Sequence, residues 1–187
     1  MRFYDIFNGD ADGLCALQQL RLAEPRRATL ITGVKRDIAL LGRVPAEAGD
    51  ELTVLDVALD TNRTALLVIL HAGARVVYFD HHFAGEIPAH DALSAHIDPS
   101  ASTCTSLIVD RHLSGRYRAW AIVAAFGDNL CTEAHAAATA LGLGSEEIET
   151  LRQLGEGLNY NAYGSTLADL HFDPAALHQR MLPYVDP

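Results

Sequence analysis

Apolar residues gather in short runs through the first half of the chain, and between the runs apolar positions recur at helical spacing. Phe3 to Phe7, Thr29 to Thr32, Leu52 to Leu55 and Arg75 to Phe79 read as strands. Val, Ile, Leu, Phe and Tyr dominate these runs without regular polar alternation, the pattern of strands covered on both faces. Leu14 to Ala23 and Thr64 to Ala72 read as helices, the second with Gly73 as its stop. The connection from Gly33 to Asp50 carries no clear pattern. Strands and helices in alternation predict an α/β fold with a mainly parallel β-sheet flanked by helices.

After His82 the pattern changes. A loop with Gly85, Pro88 and Pro99 leads into helical stretches near residues 103–113, 118–127, 133–142 and 146–158, and Asp173-Pro174 opens a last helix that ends before Pro183. The carboxyl half therefore reads as mainly helical, with a core domain over residues 1–130 and a helical extension or linker over 131–187. The tail from Pro183 to Pro187 resembles the middle of a connection, which sets the expectation of a second domain absent from this sequence.

With 187 residues, 49% of them hydrophobic, the chain can bury one sizeable core. A net charge of -10, from 24 acids against 14 bases, argues against long nucleic acid as a partner, since duplex binding relies on clustered cations. A small phosphorylated partner stays compatible if a metal ion supplies positive charge. The three cysteines, Cys15, Cys104 and Cys131, match neither a disulfide framework nor a zinc spacing, so a reducing cytoplasm is the expected location. The longest apolar run, Ala119 to Phe126, is too short to span a bilayer, and the acidic amino terminus is no secretory signal.

Four clusters of acidic and histidine residues fall at the ends of predicted elements. Asp10 and Asp12 follow the first strand, Asp56 ends the third, Asp80-His81-His82 ends the fourth, and Asp128 closes a helix. In an open parallel sheet the carboxyl ends of the strands converge on one crevice. Carboxylates with one or two imidazoles favour Mn2+ or Mg2+, whereas structural zinc more often recruits cysteine. A two-metal site activates a water and stabilises charge on a phosphoryl oxygen, and Asp56, lying between the other clusters, is the natural bridging carboxylate.

FNGDADG, VLD, DHH and FGDN, in that order over roughly Phe3 to Asn129, resemble the four motifs of the DHH phosphoesterase superfamily. The superfamily includes RecJ-type exonucleases, manganese inorganic pyrophosphatases and phosphodiesterases of small oligonucleotides or cyclic dinucleotides. The resemblance implies a hydrolase with one or two divalent ions. Asp10 would serve one ion, Asp12, His81 and Asp128 the other, and Asp56 both, with Asp56 and His82 catalytic and His82 facing the substrate phosphate. Many relatives carry a histidine four residues before the first motif aspartate; here that position is Ile6, so the first ion has fewer protein ligands unless Asn8 or water fills the gap. The expected substrate is a small oligonucleotide or dinucleotide, with pyrophosphate next, and a homodimer stays open. The alternative is a non-catalytic module that senses a nucleotide through the same fold.

Simpler readings compete. Asn8 to Gly13 also fits half of a calcium EF-hand loop, but Gln19 stands where that loop needs a bidentate Glu. A haloacid-dehalogenase reading of Asp10 and Asp12 needs a lysine well downstream, and Lys35 is the only lysine. Ser102 and Thr103 open a predicted helix whose amides suit a phosphate, with Ser102 as N-cap. His96 and Asp98 read as structural, and Cys104 as packing.

Overall fold

The computed structural model describes all 187 residues. Five strands, β1 (Phe3–Phe7), β2 (Thr29–Ile31), β3 (Glu51–Leu55), β4 (Arg75–Asp80) and β5 (Leu93–Ile97), form one sheet in the order β2-β1-β3-β4-β5. Every neighbouring pair is parallel.

Register explains why the strands show no polar face. Phe7, Leu55 and Phe79 stand side by side across β1, β3 and β4, and all three enter the core on one face of the sheet. The next row back, Ile6, Val54 and Tyr78, faces the opposite core with Tyr4, Leu52 and Val76. Successive side chains alternate between faces, and both faces are dry. Each of these large side chains contributes on the order of 1.5–3 kcal/mol through burial.

Helix α1 (Ala11–Ala23) covers the first face and is itself enclosed, because α3 (Thr105–His112), α4 (Arg118–Gly127), α6 (Ser145–Asn161) and α7 (Pro174–Met181) pack around it. A helix in that position must be apolar almost all round, or pair its polar groups. Gln18 donates to the carbonyls of Met181 and Tyr184, Gln19 to that of Ser106, and Arg21 forms a two-pronged pair with Asp5 at 2.9 and 3.0 Å. Helix α2 (Leu59–His71) lies on the other face, burying Leu59, Leu66, Ile69 and Leu70, while its buried Asn62 holds the loop at Ile38 to Leu41.

Helix α5 (Cys131–Ala140) packs on α4. Ala134 and Ala138 of α5, Leu151 and Leu158 of α6 and Met181 of α7 belong to the same core as α1 and α4, so residues 131–187 are built into the fold. The tail is tied down as well, with Trp120 Nε1 donating to the Val185 carbonyl at 3.0 Å. Helices α4 and α6 cross closely, since a Cβ on Gly155 would stand 2.1 Å from the Val123 carbonyl oxygen, and α4 meets α1 as closely, since one on Gly127 would stand 2.5 Å from Ala11 Cβ. These two glycines bring the carboxyl end of α4 down onto the start of α1.

The structure departs from the pattern reading in several places. Helix α1 begins at Ala11, because Asp10 caps it, and α2 begins at Leu59. Strand β5 joins the sheet edge without a helix before it, and His96 stacks on Phe79 with ring centroids 4.6 Å apart. Asp98 pairs with Arg111 at 2.8 Å. Ser102 is not the N-cap of α3; Cys104 holds that position, and the capping is supplied from elsewhere in the chain. All three cysteines are free, Cys15 and Cys104 buried and Cys131 exposed. No helix is long and apolar enough to cross a membrane.

Candidate metal centre

The chain leaves β1 through α1 toward β2 on one side and returns to β3 on the other. The carboxyl ends of β1 and β3 thus flank the point where strand order reverses, the position at which open α/β sheets form their crevice. A cavity of about 270 Å³ opens there, bordered by Asn8, Asp10, Lys35, Asp56, His81, His82 and Asp128 among others.

Asp10 caps α1, its Oδ1 accepting from the amides of Asp12 at 3.1 Å and Gly13 at 3.2 Å. Its other oxygen, Oδ2, accepts from Lys35 Nζ at 2.5 Å. Asp12, in the first turn of α1, reaches across to the start of α3, where its two oxygens accept from the amides of Thr105 and Ser106, both at 2.7 Å. The Asp12 carboxylate occupies the anion-binding end of α3, so those amides are not open to a phosphate. Ser102 is exposed, and the hydroxyl of buried Thr103 accepts from Arg111 at 3.2 Å. Asn8 is also engaged: its Oδ1 accepts from the Asp10 amide and its Nδ2 donates to the Lys35 carbonyl.

Asp56 follows β3 in the left-handed region, at φ 57°, a conformation that an aspartate tolerates better than most residues and that aims its carboxylate into the crevice. Its amide is held by the Phe79 carbonyl, and its Oδ1 accepts from Thr105 Oγ1 at 3.2 Å. His81 Nε2 lies 3.4 Å from Asp56 Oδ1, 3.8 Å from Asp128 Oδ2 and 3.9 Å from Asp12 Oδ2. Potential ligand atoms of Asp12, His81 and Asp128 fall within 4.8 Å of one another, as do those of Asp56, His81 and His82. Asp10 is in neither set.

Electrostatically the centre is short of positive charge. Burial, reinforced by Asp10 and Asp12, pushes the Asp56 carboxyl well above the usual range. Burial first, then Asp12 and Asp10, raises Asp128 to about 6. Burial alone would lower His81, but Asp56, Asp12 and Asp128 outweigh it and raise it to about 10. Burial likewise opposes the Lys35 charge, yet Asp10 and Asp128 leave its pKa raised. Carboxylates whose pKa values are raised by burial and by neighbouring carboxylates, beside an imidazole and with cysteine sulfur absent from the crevice lining, fit a hard divalent ion of the Mn2+ or Mg2+ type.

No protein-family model matches the chain, and no curated protein matches it in sequence. Among solved structures, an exonuclease RecJ bound to manganese superimposes with a TM-score of 0.59 at 18% identity, covering 98% of this chain and 60% of that one. RecJ from Thermus thermophilus, in complex with Mn2+, gives a TM-score of 0.52 at 18% identity, covering 98% of this chain and 34% of that one. This chain has the RecJ-type DHH fold. The DHH fold here spans less than two thirds of either RecJ chain.

Within the DHH fold, three groups at the crevice are given no role from the sequence. Asp80 is fully buried, and its Oδ1 accepts from the His81 amide at 2.9 Å and pairs with His82 Nδ1 at 2.7 Å. A carboxylate only accepts, so Nδ1 of His82 carries the proton and Nε2 is left without a protein partner. Lys35 sits in the connection that showed no pattern; that it is the only lysine was the one signal available. Asn159, on α6, accepts from Lys35 Nζ at 3.0 Å.

Proposed function

We propose that this chain is a divalent-metal-dependent phosphoesterase that hydrolyses a phosphodiester of a small oligonucleotide or dinucleotide. The observation that carries the reading is the pair of groups that share His81, Asp12-His81-Asp128 and Asp56-His81-His82, in the crevice where strand order reverses. Such an ion would be held by Asp12, Asp56, His81 and Asp128. Bound manganese or magnesium lowers the pKa of water and draws charge from a phosphoryl oxygen. That both RecJ structures contain manganese agrees with this choice of ion.

The chain's own groups supply the rest. The α3 amides fix Asp12, Thr105 fixes Asp56, and these buried supports hold the carboxylates in one geometry. Asp80 orients His82, whose imidazolium form would donate from Nε2–H to a phosphoryl oxygen of the substrate, an interaction that strengthens as charge develops there. The hydrophobic walls given by Ile38, Val57 and Ala58 limit water in the crevice. Two exposed aromatic rings favour a nucleotide over pyrophosphate. Phe83, 74% exposed, follows His82 directly, and the Tyr163 ring centroid lies 5.9 Å from Lys35 Nζ; each offers a face on which a base stacks.

Incubation of the chain with Mn2+ and, separately, a linear dinucleotide, pyrophosphate and single-stranded DNA tests the proposal. Mononucleotide release from the dinucleotide at the highest kcat/KM is the expected result. Faster pyrophosphate cleavage overturns the substrate class, and dinucleotide binding without turnover of any substrate replaces the enzyme with a nucleotide-sensing module.

A further inference from the structure

We propose that the ammonium of Lys35 takes the place of one ion of a two-metal centre, so that this chain holds a single divalent cation on Asp12, Asp56, His81 and Asp128. The inference rests on the cation-dependent function argued above and deepens it. It begins from Asp10, whose carboxylate already faces a cation: one oxygen caps α1 and the other is 2.5 Å from Lys35 Nζ. An ion on Asp10 has to displace that ammonium, and two cations cannot share so small a space.

Asp10 also stands apart from both groups of converging ligand atoms in the crevice. Ile6, four residues earlier, is fully buried in the α2-side core. The carboxamide of Asn8 is spent on the Asp10 amide and the Lys35 carbonyl. Those same bonds position the lysine, whose backbone amide also donates to the Ala162 carbonyl. A Cβ on Gly9 would stand 2.1 Å from the Gly33 carbonyl oxygen, so glycine at that position is what lets the lysine loop lie against the first motif. The ammonium is fixed from the far side by Asn159 Oδ1 at 3.0 Å and lies 3.9 Å from Asp128 Oδ1.

The choice of residue supports the same reading. The other thirteen basic side chains are arginines, and the single lysine sits here. Lysine ends in a compact point charge with three donors, closer to a bound ion than arginine's planar fork. Asp10 and Asn159 take two of its N–H groups, which leaves one to reach a phosphoryl oxygen in the crevice.

Manganese stoichiometry of the full chain, measured by equilibrium dialysis and by electron paramagnetic resonance, decides the matter. The wild-type chain is expected to bind one Mn2+ with an uncoupled spectrum, and Lys35→Met, which keeps the stem and removes the charge, to bind a second with exchange broadening. Two ions on the wild type, or still one on Lys35→Met, overturns the proposal while leaving the metal-dependent function intact. No Mn2+ at all on the wild type overturns both. Should Lys35→Met not fold, Asp10→Asn, which keeps the helix cap, serves instead: its Mn2+ affinity stays within about threefold of wild type while Asp12→Asn loses about tenfold or more. Equal losses in the two variants overturn the proposal.

Discussion

The Nδ1 of His82 lies 2.7 Å from the Oδ1 of Asp80, a fully buried carboxylate at the end of β4 whose only other polar contact is the His81 amide. The pair fixes the tautomer and the direction of an imidazole that is itself 43% exposed at the mouth of the crevice. Asp80→Asn is therefore expected to lower kcat by about tenfold or more, since a positioned acid–base group contributes roughly 10²–10⁴. Mn2+ affinity should stay nearly constant in this variant, and calorimetry checks it.

The two histidines separate by role. His82→Ala is expected to spare Mn2+ binding and reduce turnover, while His81→Ala reduces both, because His81 Nε2 is the atom shared by Asp12, Asp56 and Asp128. Equal metal loss in the two variants contradicts the assignment.

Protons and the ion compete for the same atoms. Asp128 is raised to about 6 from an ordinary value of 3.8, so its protonation adds stability that is complete below the unfolded value and lost as pH rises through the folded one. His81, raised to about 10 from 6.5, behaves the same way, its contribution present below 6.5 and lost as pH rises through 10. Both groups make the ion-free chain less stable toward alkaline pH. Added Mn2+ should then raise the melting temperature more at about pH 8 than at about pH 5, its stabilisation reaching about 2.7 kcal/mol at one hundred times Kd. Thermal melts across that range, with and without Mn2+, test the sign, and a larger increment at acid pH contradicts it.

The α4–α6 crossing positions Asp128. Gly155→Ala forces a methyl group against the Val123 carbonyl and should destabilise the chain by roughly 1–3 kcal/mol, with weaker Mn2+ binding as α4, whose end carries Asp128, is displaced from α6. Denaturant unfolding measures the first effect and calorimetry the second.

Much of this arrangement was legible in the sequence, and most of the rest was hidden because it depends on contacts between distant residues. The first four strands show themselves through continuous apolar runs, because both faces of the sheet are covered, and acidic residues placed just after such runs mark the crevice of a parallel sheet. The same local logic failed at Ser102, since α3 is capped by Asp12 from 93 positions away in the chain. Lys35 and Asp10 are 25 residues apart, and Lys35 and Asn159 are 124 apart, so no local pattern announces their meeting. Strand β5 lacks an apolar run because it is an edge strand of half-buried residues.

If the carboxylates and imidazole of the crevice form a hydrolytic metal centre, the rate of dinucleotide hydrolysis follows the concentration of free Mn2+. The wild-type chain is predicted to be inactive after chelation and to recover on titration with Mn2+, and Asp56→Asn to fall by about 100-fold or more at the same Mn2+ concentration. Turnover that survives chelation, or that Asp56→Asn leaves undiminished, contradicts the account.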